Sequence, residues 1–369
     1  MLRAARLPHK PDGRHAPVVR VAHHPCVSLR SEIGEQPDVI ARVLAEGGDE
    51  ARAHARRLAK ARHLTFVARG SSDNAATYGK YLFESVAGLV AASAGPSLAT
   101  LYHAAPEFRG GAVIAISQSG SSPDVAAVVA AARVDRAFTL ALTNDPRSKL
   151  ARTSETTFLL RCGRERAVAA TKTFTASCTA LAMLASASAE ARGRGGVSFA
   201  NLVDAVAEAC ARDRDADRIA RHLSRDRVLV VLGRGYDYAA ALEGALKIKE
   251  LARVWAEPYS SADFAHGPRT LLDRGSAVLL FASRGRASAD ARRAARAAHE
   301  RGARVYAITN DPRVAAETDD ALVLETRLAE TVAPIALVVA AQLVASSVAR
   351  RHGRDVERPV GLSKVTRTL

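Results

Sequence analysis

The sequence predicts an α/β protein built from two tandem, doubly wound parallel sheets that arose by internal duplication. Three motif pairs recur at one almost constant interval along the chain: Arg69-Gly70 with Arg234-Gly235, 116–120 with 281–285, and Thr-Asn-Asp-Pro-Arg at both 143–147 and 309–313. Strands that alternate with helices favour parallel sheets, whose ligand loops lie at the carboxyl ends of the strands. One long period indicates a duplicated unit rather than a short-repeat solenoid.

Each unit is expected to run strand, Gly turn, helix, strand, Ser/Gly loop, helix, strand and Asn-Asp-Pro. The apolar runs that predict the strands are 64–68, 112–116, 138–142, 228–232 and 305–308. An Ala/Val-rich helical pattern follows the Ser/Gly loop at 125–133. The apolar stretch 332–349 contains Pro334, Gln342 and two serines, which predicts a buried helix with proline in its first turn rather than a membrane span.

The 369 residues suffice for two or three domains. Residues 1–30 are basic, lack an apolar secretory core and are expected to be a disordered extension. The first domain, expected to bind phosphate, is placed at 31–215, and the second, expected to carry the catalytic helix, at 216–350. Residues 351–369 form a C-terminal tail that is expected to close the active site.

The formal net charge of +15 raises the question of nucleic-acid binding. Aromatic residues make up only 5%, and no basic stripe is interleaved with aromatics, so a general arginine bias is the preferred interpretation. The four cysteines form no close-spaced pairs, which predicts neither a zinc site nor a disulfide framework. A cytoplasmic protein without metal or other cofactor is therefore expected, with no nucleic-acid or membrane partner.

Residues 117–122 (Ser-Gln-Ser-Gly-Ser-Ser) lie between a predicted strand and a predicted helix. Such a loop directs N–H groups and hydroxyls to one point at the positive end of a helix dipole, which favours an anion. It lacks the lysine of the nucleotide-binding Gly-x-x-x-x-Gly-Lys loop, so a monophosphate on a small molecule fits better than a nucleoside triphosphate. The alternative is a serine-rich turn that only caps the helix.

A second group of ionisable residues lies on a predicted helix. Glu243, Lys247 and Glu250 are spaced by four and three residues and share one face. A solvated salt-bridge ladder is the common outcome of such spacing. Here the helix follows a Gly-Arg-Gly turn and leads to His266, which precedes a Gly-Pro turn. This combination suggests that a glutamate of the helix acts as a carbon-acid base and that the His266 imidazole transfers protons near neutral pH.

From about residue 31 to its end, the chain resembles proteins with two tandem SIS (sugar isomerase) domains. It is similar to the isomerase half of glucosamine-6-phosphate synthase, and more so to the stand-alone deaminase relatives of that half. The motifs that carry the resemblance are 32–37 (Glu-Ile-Gly-Glu-Gln-Pro), 69–72 (Arg-Gly-Ser-Ser), 117–122, 168–172 (Val-Ala-Ala-Thr-Lys), 243–250, 266–268 (His-Gly-Pro) and 355–364.

The resemblance implies a role for each matching position. Glu250 would shuttle the proton between C1 and C2, His266 would assist ring opening and reach the neighbouring subunit's site, and Lys364 matches a lysine that forms a Schiff base with the ketose. Glu243 and Lys247 would support this charge network. The residues implied to hold the substrate are Ser71, Ser72, Ser117, Gln118, Ser119, Ser122, Val168 and Ser363.

Departures from the synthase favour the deaminase branch. The synthase carries an N-terminal glutaminase domain, whereas the first matching motif here already begins at Glu32, so we expect no ammonia from glutamine. The segment before His266 is Ser-Ser-Ala-Asp (260–263) rather than the synthase's Gly-Glu-Leu-Lys pattern, and the last residues also differ from the synthase's Val-Thr-Val-Glu.

The resemblance therefore predicts a homodimeric glucosamine-6-phosphate deaminase, which converts glucosamine 6-phosphate to fructose 6-phosphate and ammonia. Two alternatives remain open. One is an isomerase or deglycase acting on another phosphorylated sugar amine, and the other is a non-catalytic SIS regulator that binds a sugar phosphate.

Overall fold

The computed structural model describes residues 28–224 and 228–364. Within them, two five-stranded sheets are parallel throughout, which confirms the predicted α/β architecture. Their inner strands are almost completely buried, because helices cover both faces of each sheet. Strands buried on both faces consist largely of apolar runs, as these do. The strands are β1 (Leu64–Val67), β2 (Ala91–Ser93), β3 (Ala112–Ile116), β4 (Phe138–Thr143), β5 (Thr156–Leu159), β6 (Val228–Gly233), β7 (Ala256–Ser260), β8 (Ser276–Ala282), β9 (Arg304–Thr309) and β10 (Asp320–Val323).

The two sheets share one topology, as expected of a duplication. The first sheet has the order β2-β1-β3-β4-β5 and the second β7-β6-β8-β9-β10. In each, the chain reverses its direction of winding beside the first strand of the unit. A crevice therefore opens at the carboxyl ends of β1 and β3, and a second one at those of β6 and β8.

The helices surround and join the sheets. Helix α15 (Ala333–Arg351) is long enough and apolar enough to cross a membrane by length and composition alone, but 94% of its apolar window is buried inside the protein. Pro334 lies in its first turn, so the predicted buried helix is confirmed. The helices are α1 (Leu29–Gly34), α2 (Gln36–Glu46), α3 (Gly48–Leu58), α4 (Ser71–Leu82), α5 (Pro96–Thr100), α6 (Pro123–Val134), α7 (Lys149–Thr153), α8 (Lys172–Ala191), α9 (Leu202–Cys210), α10 (Asp213–Leu223), α11 (Asp237–Ala252), α12 (Ser261–Ala265), α13 (Ser288–His299), α14 (Pro312–Ala315) and α15 (Ala333–Arg351), with a π-helical turn at Phe83–Ala87 and a 3-10 turn at Pro268–Leu271.

The first helix begins slightly earlier than the predicted start of the first domain. The Ser28 side chain accepts a hydrogen bond from Ser31 N and caps α1, which starts at Leu29 rather than after residue 30. The rest of the predicted disordered extension lies outside the described residues. The same holds for the last five residues of the predicted tail.

Candidate functional site

The Ser/Gly loop and the turn after β1 meet at the crevice of the first sheet. Strands β1 and β3 are direct neighbours, so the segments that follow them lie side by side. They border a cavity of about 370 Å³. Its lining comprises Arg69, Gly70, Ser71, Ser72, Ser117, Gln118, Ser119, Ser122, Glu165, Val168, Ala170, Glu250, Ser363 and Lys364. Every substrate-contacting residue implied by the resemblance lines this one cavity.

The loop after β3 is shaped to present hydroxyls. Gly120 has φ +59, and a Cβ there would lie 2.1 Å from Ser148 Oγ, so the tight turn requires glycine. Ser117 Oγ accepts a hydrogen bond from Gly120 N at 3.1 Å, and the Ser119 and Ser121 hydroxyls are 2.6 Å apart. Helix α6 begins at Pro123, immediately after the loop, with Ser122 at its N-cap position. The positive end of a twelve-residue helix therefore adjoins these hydroxyls, an arrangement suited to an anion.

Helix α11 brings its acidic and basic groups to the same cavity. Lys247 is 1% exposed, and its Nζ donates to the Glu250 carboxylate and to Ser71 Oγ at 3.2 Å, with Glu243 Oε1 at 3.4 Å. Asn74 Nδ2 donates to Glu243 Oε2 at 2.8 Å. Of the three residues, only Glu250 lines the cavity. The predicted charge network is therefore present, but it is a buried cluster rather than a solvated ladder.

Burial and neighbouring charges set the protonation of this cluster. Desolvation raises the pKa of the Glu243 carboxyl, against the opposing effect of the Lys247 ammonium. Burial by itself would lower the pKa of Lys247, but Glu243 and Glu250 outweigh that effect and the pKa lies above its ordinary value. Lys247 therefore stays charged, and it holds Glu250 at the cavity wall by a direct hydrogen bond.

Lys364 comes to the cavity from the end of the described chain and pairs with Glu165. Its Nζ donates to Glu165 Oε2 at 2.6 Å and to the Ala167 carbonyl at 2.7 Å. The Glu165 carboxylate also accepts from the N–H groups of Thr171 and Thr173 at 3.0 and 3.1 Å. Burial opposes ionisation of Glu165, yet Lys364 and these donors hold its pKa below the ordinary value. An ionised carboxylate thus fixes an ammonium group at the cavity edge.

The sequence did not reveal that Glu165 is a site residue. It also did not reveal the hydrogen bonds that fix the loop after Glu165 to the first helix. Glu32 is buried on α1 and accepts hydrogen bonds from Arg166 N at 2.5 Å and Ala167 N at 3.1 Å. Lys172 Nζ donates to Glu35 Oε2 at 2.6 Å and lies 3.9 Å from Glu32 Oε1. The loop that carries Val168 is thereby tied to the first helix. The motif at 32–37 was the available signal, but the contact joins distant parts of the chain and no local pattern reports it.

The structure does not bring His266 to this cavity. It is exposed at the end of the short helix α12 and does not line the cavity of about 370 Å³. Its implied position in the neighbouring subunit's site stays a prediction.

Comparison with known proteins gives one family. The SIS domain model matches residues 57–187 and 222–349. Glutamine–fructose-6-phosphate aminotransferase (isomerizing) of Methanothermobacter thermautotrophicus is 32% identical over 350 residues, which cover 91% of this chain and 56% of that protein. The enzyme of the same name from Gloeobacter violaceus is 33% identical over 360 residues, with coverage of 91% and 58%. The chain thus spans little more than half the length of these relatives.

Solved structures show the same fold over almost the whole of their chains. A Silicibacter pomeroyi protein provisionally assigned as a phosphosugar isomerase is 36% identical, with a TM-score of 0.78 and coverage of 89% of this chain and 99% of that one. The C-terminal domain of glucosamine-fructose-6-phosphate aminotransferase from Francisella tularensis is 25% identical, with a TM-score of 0.79 and coverage of 89% and 97%. Glucosamine-6-phosphate deaminase of Thermotoga maritima, at 21% identity, has a TM-score of 0.75 and coverage of 92% and 100%, a likeness in fold.

Proposed function

This chain belongs to the SIS domain family, and from that premise we propose that it is a glucosamine-6-phosphate deaminase that releases ammonia and forms fructose 6-phosphate. One observation carries the proposal: the hydroxyl-rich loop, Glu250 and Lys364 line the same cavity of about 370 Å³. A phosphate holder, a carboxylate base and an ammonium group are the parts that a proton shift on a phosphorylated amino sugar requires.

The phosphate end of the substrate is assigned to the first domain. Ser72, Ser119 and Ser122 present hydroxyls to the cavity, and α6 directs its positive end toward the loop. Hydrogen bonds to a charged group contribute about 1.5–3 kcal/mol each. With the phosphate anchored at this end, the proposal places C1 and C2 of the open-chain sugar near Glu250 in the same cavity.

The chemical step is assigned to Glu250. In the open-chain form, its carboxylate takes the proton from C2, and the electrons of the broken C–H bond form a C1=C2 double bond. The electrons of the C1=O π bond move to O1, which takes up a proton from water, and an enolamine results. The same group returns a proton to C1, which leaves a C2 imine and a C1 hydroxymethyl group. Water then adds to the imine carbon and the C2–N bond breaks, so that ammonia departs and the C2 ketone remains. Lys247 keeps the base oriented, and the fixed ammonium of Lys364 faces the oxygen and nitrogen functions.

Ring opening is assigned to His266 of a second copy in a homodimer. In its own subunit the imidazole is exposed and lies outside the cavity. A symmetric dimer would exchange this residue between two identical sites. The Ser-Ser-Ala-Asp segment before it (260–263) supports the deaminase branch over the synthase.

The direct test is incubation of the purified chain with glucosamine 6-phosphate, with coupled assays for ammonia and fructose 6-phosphate. The two products are expected in equal amounts, and unphosphorylated glucosamine should react at least 100-fold more slowly because it lacks the anchoring group. Tight binding of glucosamine 6-phosphate with no ammonia would overturn the deaminase assignment and leave a binding protein.

A second candidate is favoured by a groove next to the base. Glu250 also borders an opening of about 350 Å³ whose further lining is Lys249, Arg253, Val254, Trp255, Val360 and Leu362. Trp255 is 77% exposed and offers an apolar surface beside the reacting end. A phosphorylated sugar whose amine carries an apolar or amino-acid substituent would fit, which makes the chain a deglycase. Release of a larger amine from such a substrate, at a kcat/KM above that for glucosamine 6-phosphate, would favour this candidate.

A further inference from the structure

The second domain contains a crevice equivalent to the substrate cavity of the first. It lies at the carboxyl ends of β6 and β8 and has a volume of about 600 Å³. Five of its lining positions repeat five positions of the first cavity at the interval of the duplication. The pairs are Arg69 with Arg234, Gly70 with Gly235, Ser71 with Tyr236, Ser122 with Ala287 and Glu165 with Glu330.

The serines of the first cavity are not repeated at the matching positions of the second crevice, whereas the arginine is. Arg234, Arg286 and Arg293 line the second crevice together with Asp263, Asp290 and Glu330. Arg293 Nη2 is paired with Asp290 Oδ1 at 2.9 Å, and Arg234 Nη1 donates weakly to Ser260 Oγ at 3.4 Å. Without Glu330, the remaining lining would carry one net positive charge. Guanidinium groups bind phosphate through paired N–H donors, so hydroxyls are not needed for an anion site.

The Glu330 carboxylate occupies the position on the loop that an anion would take. Its Oε1 accepts a hydrogen bond from Ala287 N at 3.1 Å, directly before the first residue of α13. A Cβ on Gly285 would lie 2.1 Å from the Glu330 carboxyl carbon, so the carboxylate packs against the loop backbone. Glu330 therefore fills the anion position at the N-terminus of a twelve-residue helix.

The matching glutamate of the first domain is held differently. Glu165 lies in the same connection between the last strand and the long helix, but its carboxylate is bonded to Lys364 and to Thr171 and Thr173. It borders the cavity without covering the loop at 117–122. Glu165 thus leaves the anion position of the first domain open, whereas Glu330 occupies that of the second.

We propose that the second crevice is a latent phosphate-binding site whose ligand position is taken by the chain's own Glu330. The ligand class is a phosphomonoester or inorganic phosphate, recognised by Arg286, Arg234 and the loop N–H groups. The wild-type chain then binds a single phosphate, at the first domain, and replacement of Glu330 by a short neutral residue exposes a second site.

Equilibrium dialysis with labelled inorganic phosphate tests this on the full chain. We expect one phosphate per wild-type chain, two per Glu330→Ala chain, and one again in the double variant Glu330→Ala/Arg286→Ala. Glu300→Ala, an exposed glutamate after α13, is the matched control and should stay at one. In a Ser119→Ala/Ser122→Ala background only the new site should remain, so a failure of the first-domain assignment is distinguishable from a failure here.

Folding is checked by thermal unfolding, with Glu330→Ser as a second variant. A gain of one phosphate in either folded variant supports the proposal. A variant that folds only when phosphate is present supports it too, because the anion then replaces the carboxylate. Folded variants that still bind one phosphate overturn it. So do two variants that fail to fold with and without phosphate, since Glu330 would then be structural.

Discussion

Lys364 and Glu165 show how two distant residues create a charged pair that neither could maintain alone. Glu165 has a fully buried side chain, and a buried carboxylate without a partner is costly. The ammonium at 2.6 Å and two backbone N–H groups make ionisation favourable. The sequence placed Lys364 in the site by resemblance alone. It gave no hint of Glu165, because the two positions are 199 residues apart.

Lys364→Met should therefore destabilise the protein in a pH-dependent way. Without the ammonium, buried Glu165 has a raised pKa, and stability then falls as the pH rises from the ordinary glutamate range toward that raised value. Since Lys364 is partly exposed, we expect a loss of about 2 kcal/mol at pH 8 and a smaller one at pH 5. Urea unfolding at the two pH values measures this, with exposed Lys60→Met as control. An equal loss at both pH values would contradict the ion-pair account.

At the scale of elements, the loop at 117–122 is the part that sequence reasoning defined best. The apolar strand before it, the tight turn with its glycine and the helix after it were all predicted from local patterns, and the structure adds that Gly120 has φ +59. The loop began as an open choice between a helix cap and an anion site. Its position at the strand-order reversal favours the anion site, because the turn after β1 meets it there.

Ser119→Ala and Ser122→Ala test the role of this loop. Each removes one hydroxyl that we assign to the substrate phosphate, so each should raise KM for the phosphorylated sugar by about 10- to 100-fold and change kcat less. Steady-state assays measure the split. Ser198→Ala, at an exposed serine in the connection between α8 and α9, should behave as the wild type. An unchanged KM in both loop variants would mean that the loop only caps α6.

Helix α11 begins with Asp237, a buried carboxyl group whose ionisation is unfavourable in the folded protein. Asp237 is 1% exposed and accepts hydrogen bonds from Ser283 N at 2.8 Å and Ser283 Oγ at 2.5 Å. Burial raises its pKa to about 7, even though these hydrogen bonds favour the ionised form. The folded state therefore keeps a proton that the unfolded chain loses near pH 4. The free energy of unfolding therefore falls as the pH rises from about 4, and the contribution of Asp237 is fully lost once the pH has passed through 7.

Asp237→Asn should remove that dependence. Between pH 6 and pH 8 the wild type is expected to lose on the order of 1 kcal/mol of unfolding free energy through Asp237, and the variant should not. Urea unfolding of both proteins at the two pH values gives the difference. If the variant loses as much as the wild type, Asp237 does not titrate in this range.

For the whole molecule, the sequence predicted both the duplication and a division of work, in which the first domain holds the phosphate and the second supplies the catalytic helix. The constant interval between the repeated motifs predicted two equal sheets, and the structure has them in one strand order. The proposed difference between the two anion positions rests on Glu165 and Glu330, which lie in irregular connections without periodicity and which the sequence did not single out. Their hydrogen bonds are fixed by tertiary packing, and a single sequence does not report such contacts.

The proposed homodimer has a direct consequence for complementation. If His266 acts in the partner's site, mixing inactive Glu250→Gln with inactive His266→Asn should restore activity. Statistical exchange places one intact site in half of the dimers, so about a quarter of wild-type activity is expected. The mixture is assayed for ammonia after subunit exchange, and sedimentation measures the oligomeric state. A monomer, or a mixture without activity, would contradict the shared site.

The most direct measurement of the central claim, proton transfer by Glu250 on a sugar held by its phosphate, is turnover of glucosamine 6-phosphate in D₂O followed by NMR. The wild type is predicted to release ammonia and to form fructose 6-phosphate whose new C1 hydrogen is the one taken from C2 or, where the Glu250 carboxyl first exchanges with solvent, deuterium. Glu250→Gln should bind the substrate with unchanged affinity and turn over at least 100-fold more slowly. Full activity in Glu250→Gln, or loss of substrate binding in that variant, would contradict the account.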